Sequence, residues 1–495
     1  MSIRKQNRRY SLSLAVSRGL LRRLHGDERG SISIVSVFTV MFLAMLLGMV
    51  MNVGRHVDGK IRMQNAADSA AYSGGVVLAR GMNTLAFTNH LLCDVFAVTA
   101  FLREARDQNS ASYAPRILAA WNKVAQVFSS SGFPKFTALG SAIQQKVPLE
   151  QQLVDSYSAW AKSVSDLVLP MMEEILAEEL IPKYQRAVVV AFPEIAQAAA
   201  RETAARNGDP DHHRGPMFGV LWRTDARPVG GDADSGYSPD DRTLPVIDPE
   251  LDSVANQEQY VRTAVQQRQM LSKLYLDQWN AELLGALDQL GKMSQFSGLW
   301  RSFTCGYLEK LLTEEYPRSN LLFVIHENPL QTANSNTTLQ KHYTYIGVVY
   351  WKKLPEMAPG LFKNPLDADA QAFAEVHLFI PRNRLGWVSE GGSGTGPSQS
   401  PLGGVPGEIA FVPIGNNGGG GGGGNTRWVV GRVGGPTVWN LLNQSWNCQL
   451  APATQPALVT ILQSDPGLPG FSNGSYKLPT LGGLSSEEIQ QISPH

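Results

Sequence analysis

A chain of 495 residues is long enough for an anchor and two or three folded units, so core size does not limit it. Its 43 Lys plus Arg balance its 43 Asp plus Glu, which excludes a net field that would draw it to nucleic acid. Cys93, Cys305 and Cys448 lie far apart with no CxxC spacing, which excludes a zinc ribbon or a thioredoxin-type pair and allows at most one disulfide within the chain.

Residues 1–30 form a basic tail in which Arg4, Lys5, Arg8, Arg9, Arg18, Arg22, Arg23 and Arg29 face only Asp27 and Glu28. The next charge after Arg29 is Arg55. As a helix, Ser31 to Val53 is about 35 Å long, against a hydrocarbon core of about 30 Å, so residues 31–53 are predicted to span a bilayer. A cleaved signal has a shorter apolar region ending at a small-x-small site, whereas this one runs into "MNVGRHVDGK". The basic flank predicts that residues 1–29 stay in the cytoplasm and that the bulk of the chain is extracytoplasmic. A second apolar run, Leu85 to Leu102, contains Asn89, His90 and Asp94. An Asp near a bilayer centre costs roughly 3 kcal/mol, so this run reads as a buried or interfacial helix and not a second span.

Between the two runs lies "GRHVDGKIRMQNAADSAAYSGGVVLARG". Ala66, Ala70 and Gly74 recur every fourth residue, as do Ala67, Ala71 and Gly75, which gives a helix one smooth face that a partner helix could approach closely. Together, Arg29-Gly30, the apolar span, "VGR" at Val53 to Arg55 and "QNAADSAA" at Gln64 to Ala71 resemble the N-terminal module of TadE/TadG-like proteins of the Flp (type IVb, Tad) pilus-assembly system, over about residues 28–80. The resemblance implies an inner-membrane protein with a pilin-like N-terminal helix, partnered by the lipid bilayer and by pilins or Tad assembly proteins, with homo-oligomerisation left open. It also implies a prepilin-type cleavage position between Gly30 and Ser31. The fifth residue after that cut is Val35, where pilin substrates usually carry Glu, so a retained TadG-like anchor is the better fit. The DxSxS metal motif of some TadG-like proteins is absent, and that site is not carried over.

Beyond the anchor, residues 54–206 read as a helical membrane-proximal region, rich in Ala, Leu, Glu and Gln, with breaks expected at Pro115, Pro134, Pro148, Pro170, Pro182 and Pro193. Residues 207–251 are dense in Gly, Pro and Asp and read as a long loop. Residues 252–318 read as helical, with Leu271, Tyr275, Trp279, Leu283 and Leu287 along one face. Residues 319–390 turn β-branched and aromatic, in "NLLFVIHE", "HYTYIGVVYWKK" and "QAFAEVHLFIP". Residues 391–425 form a Gly-rich linker. In the mixed region 426–495, Thr426 to Val433 suggests a strand, "VWNLLNQSWNCQL" a short amphipathic helix, and Ser485 with Glu488 a capped small helix. The expected fold class is α+β: a single transmembrane helix, a helical extracytoplasmic region, then a mostly antiparallel β-containing region with Gly/Pro-rich loops.

Candidate chemistry is sparse. His90, Cys93 and Asp94 share one helical face at a metal-ligand spacing, but on an apolar helix they read as buried residues. "DPDHHRG" and "DADSG" sit in the loop, and the latter has Thr243 where a calcium loop needs its twelfth-position ligand. Glu173, Glu174, Glu178 and Glu179 read as a solvated acidic face, since a di-iron bundle needs Glu-x-x-His and none occurs. Ser472, in "GFSNG", lacks the strand and helix of a hydrolase elbow. The expectation is a non-enzymatic assembly protein with no cofactor and no metal, in which Ala66, Ala67, Ala70, Ala71, Gly74 and Gly75 meet a partner. The alternative is an anchored extracytoplasmic enzyme or ligand receptor with a site among His326, His342 and His377.

Overall fold

The computed structural model of the chain describes residues 28–108, 110–208, 215–230, 243–248, 258–288, 297–317, 324–325, 340–352, 369–381, 383–390, 427–434, 439, 441–453 and 457–464. Its dominant element is α1, Glu28–Asp107, a helix of 80 residues that joins the apolar span, the small-residue segment and the second apolar run without interruption. Two helices, α2 (Ser110–Ser129) and α3 (Pro134–Ala177), form a hairpin beyond its end. Helix α4 (Leu180–Asn207) then runs back antiparallel along α1, placing Gln185 beside Asn89, Phe192 beside Gly81 and Ala196 beside Gly74.

The sheet that α1 and α4 cover has the order β1-β4-β5-β8 and is antiparallel throughout: β1 Met217–Arg223, β4 Thr344–Lys352, β5 Asp369–Phe379 and β8 Asn447–Ala451. Two smaller antiparallel pairs stand apart, β2 (Val246–Ile247) with β3 (Val324–Ile325) and β6 (Asn383–Glu390) with β7 (Arg427–Gly434). The remaining elements are α5 (Glu258–Asp288), α6 (Ser297–Lys310) with a π-helical turn over Leu311–Glu315, the short α7 (Gln340–Tyr343) and α8 (Ala457–Gln463). The fold is therefore α+β, mostly helical, with an antiparallel sheet and one long apolar N-terminal helix.

Strand alternation sorts side chains between two cores. Tyr345, Val349 and Trp351 of β4, with Ala372, Ala374, Val376 and Leu378 of β5, face α1 and α4. Ile346, Val348 and Tyr350, with Val220 and Trp222 of β1, face Leu458, Ile461 and Leu462 of α8. A third core surrounds the far half of α1, where Leu92, Phe96 and Phe101 meet Leu169 and Leu176 of α3, Leu271, Tyr275 and Leu276 of α5, and Leu308 of α6.

Several expectations are corrected. Pro115, Pro148, Pro170 and Pro193 lie inside helices, and Pro182 falls in the first turn of α4. Each of the four interior prolines forfeits one backbone bond, which packing on α1 and between helices can offset, whereas Pro182 sits where the helix has no bond to lose. Pro134 does begin a helix, and the break between α3 and α4 is made by Glu179 in the left-handed conformation, φ 51°. Glu178 and Glu179 are thus outside α3, and Glu173 is ion-paired to Arg103, so the four glutamates are not one solvated face. The 207–251 segment carries β1 and β2 and is not only loop. "VWNLLNQSWNCQL" supplies a turn and strand β8 where a helix was expected, because Leu441 and Trp446 enter the core on the first half of α1 and Leu442 the core on its far half. The tail helix with Ser485 and Glu488, and the linker 391–425, lie outside the described residues.

At Gly347 the sheet meets α1 backbone to backbone: an added Cβ would stand 2.8 Å from the Ala71 Cα and 2.9 Å from its backbone nitrogen. Gly347→Ala is expected to lower stability by about 2 kcal/mol or more in urea unfolding of the detergent-solubilised chain. Gly306→Ala, in open space on α6, serves as the control and should be neutral or raise stability by up to about 1 kcal/mol.

Candidate functional site

From Ile34 to Val53 the large apolar side chains of α1 touch nothing: Ile34 is 59% exposed, Phe38 66% and Val50 66%. Each such side chain gains about 1.5–3 kcal/mol by leaving water, so fifteen exposed large apolar residues along one stretch of helix call for a nonaqueous surrounding. The polar residues within the segment are accommodated by the helix itself, as in Thr39, whose hydroxyl donates to Val35 O at 2.8 Å. Among the described residues α1 is the one helix long and apolar enough to cross a membrane. Gly30 and Ser31 lie in its first turn, and their side chains are outside the described residues.

The folded body begins almost where the apolar segment stops. Gly54 has open space around it, and Asp58 pairs with Arg62 at 3.2 Å on the exposed side. At Gly59 the indole of Trp351, at the end of β4, already covers the helix, 3.1 Å from where a Cβ would be. Six residues of helix, about 9 Å, separate Val53 from this contact. One turn further, the Gln64 amide donates to Phe373 O of β5 at 3.1 Å and to Asp68 at 2.8 Å.

The six small residues follow, and all are buried. Ala66, Ala67, Ala70 and Ala71 have no exposed surface. A Cβ on Gly74 would meet Leu221 of β1 at 2.7 Å, and one on Gly75 would meet Val376 of β5 at 2.7 Å. The close approach that their spacing implies is real, but the surface approached is the chain's own sheet and α4. What α1 leaves uncovered is its opposite side, where Arg80 and Phe87 join Phe192 and Ile195 of α4 along an open groove.

Residue types that the sequence pointed to for chemistry are engaged structurally. Leu442 O can only accept, so His90 Nε2 carries the proton at 2.9 Å, and Nδ1 accepts from the Tyr275 hydroxyl at 2.9 Å. Burial holds the His90 pKa below its usual value. Cys93 points at Arg268 O, 3.9 Å away, and burial pushes its thiol up to about 12, which leaves it unreactive. Asp94 accepts from the Trp279 indole at 3.0 Å, and its pKa is raised by burial. All three cysteines are free thiols. His377 contacts Thr344 at 2.6 Å and Glu375 at 3.2 Å, while His342 lies on α7, where its carbonyl accepts from Tyr345. Thr243 is buried, its hydroxyl accepting from Gly230 N. His326, residues 209–214, residues 232–236 and Ser472 lie outside the described residues.

The roles of Asn83, Asn89 and Arg103 escaped the sequence reading. Asn83 clamps the loop before β8 at two points, donating to Trp446 O and accepting from Trp446 N, both at 2.9 Å. Asn89 donates to Leu441 O at 3.2 Å and accepts from Gln185 of α4 at 2.5 Å. Amide side chains within an otherwise apolar helix were the available signal. Arg103, at the far end, bridges Glu173 of α3 and Glu315 of the π turn, each at 2.7 Å.

The apolar span, the Gly-bearing junction and the small-residue face thus form one continuous helical unit. Residues 30–79 match the model of a family of putative Flp pilus-assembly, TadE/G-like proteins. No curated protein and no solved structure matches the chain. The TadE/G-like module covers the apolar segment, the junction and all six small residues, and it ends at Ala79 in the middle of α1. Its outer part is therefore folded into the sheet and α4, which the module itself does not include.

Because His90 is kept neutral, the unfolded chain takes up a proton below its ordinary pKa of 6.5 that the folded chain does not. Stability should be flat above that value and fall as pH drops just below it. Asp94 and Glu104, whose pKa values burial raises from 3.8 and 4.5, contribute with the opposite sign. Unfolding midpoints measured across neutral to mildly acidic pH should show this fall in the native chain and a reduced one in His90→Gln.

Proposed function

We propose that this protein is a non-enzymatic, single-pass assembly factor of an Flp-type pilus, similar in role to TadG-like proteins. Residues 1–29 lie in the cytoplasm, residues 31–53 span the inner membrane, and the body beyond Arg55 stands outside it in the cell envelope. Three observations support the reading: the TadE/G-like match over residues 30–79, the exposed apolar segment of α1, and the basic flank that the positive-inside rule holds in the cytoplasm.

The observation that carries the role is the continuity of α1. A helix that leaves the bilayer and becomes the central strut of the body without a hinge couples any lateral contact in the membrane to the outer domain. Pilins or other assembly proteins would meet the bilayer segment and the uncovered side of α1 near Phe87, since the small-residue face is already filled by Leu221, Val376 and Ala196.

Deleting the protein in its source cell should abolish or sharply reduce Flp-type pili, and the full chain should restore them while a form lacking residues 1–57 should not. N-terminal sequencing of the membrane fraction should begin at Met1 or Ser2. Normal piliation in the deletion strain would refute the assembly role, and a mature chain beginning at Ser31 would refute the retained anchor.

A further inference from the structure

The outer part of the helical hairpin beyond α1 takes no part in the cores described so far. Helix α2 packs along α3 and on no other element to a comparable extent among those described, as at Gly140, which lies against Ala125 and Ser129. The second half of α3 holds the hairpin to the body through Leu169, Leu176 and the Arg103–Glu173 pair. The rest is an arm that leaves the body at the end of α1 remote from the apolar span.

Its surface combines two properties. Ile117, Trp121, Val124 and Val127 are exposed along α2, and Phe133 and Phe136 are exposed at the tip, with Phe133 at 66%. From Ser110 to Leu149 there is no acidic residue, while Arg116, Lys123, Lys135 and Lys146 are basic, in a chain whose total charge is zero. Arg116 and Lys123 are two turns apart and border the Ile117-Trp121-Val124 face. Glu150 pairs with Lys146 at the inner end of the arm, so the outer three bases are the ones presented.

We infer that the tip of this arm docks on an anionic lipid surface, with its aromatic side chains in the headgroup region and Arg116, Lys123 and Lys135 against the lipid charge. Basic amphipathic helices bearing Trp and Phe bind such surfaces by these two terms together. A second copy of the arm is disfavoured as occupant because the same unrelieved positive charge would face itself. The surface is not the one the anchor crosses. From Val53 to Asp107 α1 extends about 80 Å, and α2 is only about 30 Å long, so the tip cannot return to the anchor's membrane. The protein would then bridge two facing membranes. That bridging geometry rests on the anchor reading above, whereas the lipid contact of the arm does not.

The test places the full chain in donor vesicles of phosphatidylcholine and measures capture of labelled acceptor vesicles made either of phosphatidylethanolamine with phosphatidylglycerol or of phosphatidylcholine alone. Anionic acceptors should be captured and neutral ones not, and raised salt should weaken capture. Lys123→Glu combined with Lys135→Glu should lower capture roughly tenfold or more, and Trp121→Ser combined with Phe133→Ser should do the same, with circular dichroism unchanged because all four positions are exposed. Equal capture of neutral vesicles, or capture unaffected by both double variants, would overturn the proposal. So would variants that leave capture intact and instead abolish cross-linked oligomers, which would make the arm a protein interface. Release of the chain from donor vesicles by alkaline carbonate would refute the anchor alone, and binding of anionic vesicles by native and variant chains would still decide the arm.

Discussion

Helix α1 meets the sheet along a face on which the helix presents nothing larger than a methyl group. Ala71 lies on Gly347, Gly75 on Val376, and Gly74 on Leu221 with the Ala196 carbonyl behind it. Contacts this close bring backbone against backbone, and the dispersion gained depends on the absence of side-chain bulk. The other layers follow from that seating. The sheet must present Tyr345, Val349 and Trp351 around the helix, α4 must return along it with Ala196, Ala200 and Ala204 inward, and α8 must close the opposite face. The helix is not one member of a bundle; it is the axis on which the sheet, α4 and α5 are placed.

That placement explains how an apolar membrane segment and a soluble body share one element. A span followed by a flexible linker would leave its outer domain free to rotate. Here Trp351 covers Gly59 a turn and a half beyond Val53, and Gln64 is tied to β5 at Phe373 O. The far end is held as firmly, by His90 between Tyr275 and Leu442 and by Arg103 between Glu173 and Glu315. Polar residues that a bilayer would reject are what fasten this half of the helix to its neighbours.

The anchor and the close-packing face were legible in the residues because each rests on a one-dimensional property, apolar length in one case and small side chains every fourth residue in the other. The partner of the small face was not legible, since spacing says that something approaches closely and not what approaches. Strand β1 was hidden because "MFGVLWR" is seven residues long inside a segment dominated by Gly, Pro and Asp, and its strand character depends on pairing with β4 more than a hundred residues away. Leu441, Leu442 and Trp446 carried helical spacing but are placed by tertiary contacts with α1. The internal prolines look like stops in the sequence because local propensity carries no trace of the packing that offsets a missing backbone bond. Of the chemistry-bearing residues, His90, Cys93 and Asp94 do share a face of α1, and that face is core.

The central requirement is that α1 stays one rod from the bilayer into the body, through Gly54 and Gly59. Met51 and Phe87 are both exposed and are 36 residues apart, ten turns, on the same side of the helix. Spin labels at these two positions in lipid nanodiscs should give a narrow distance distribution centred near about 54 Å. A broad distribution, or one centred well below that value, would mean that the helix bends at the junction and that the span and the body are separate units.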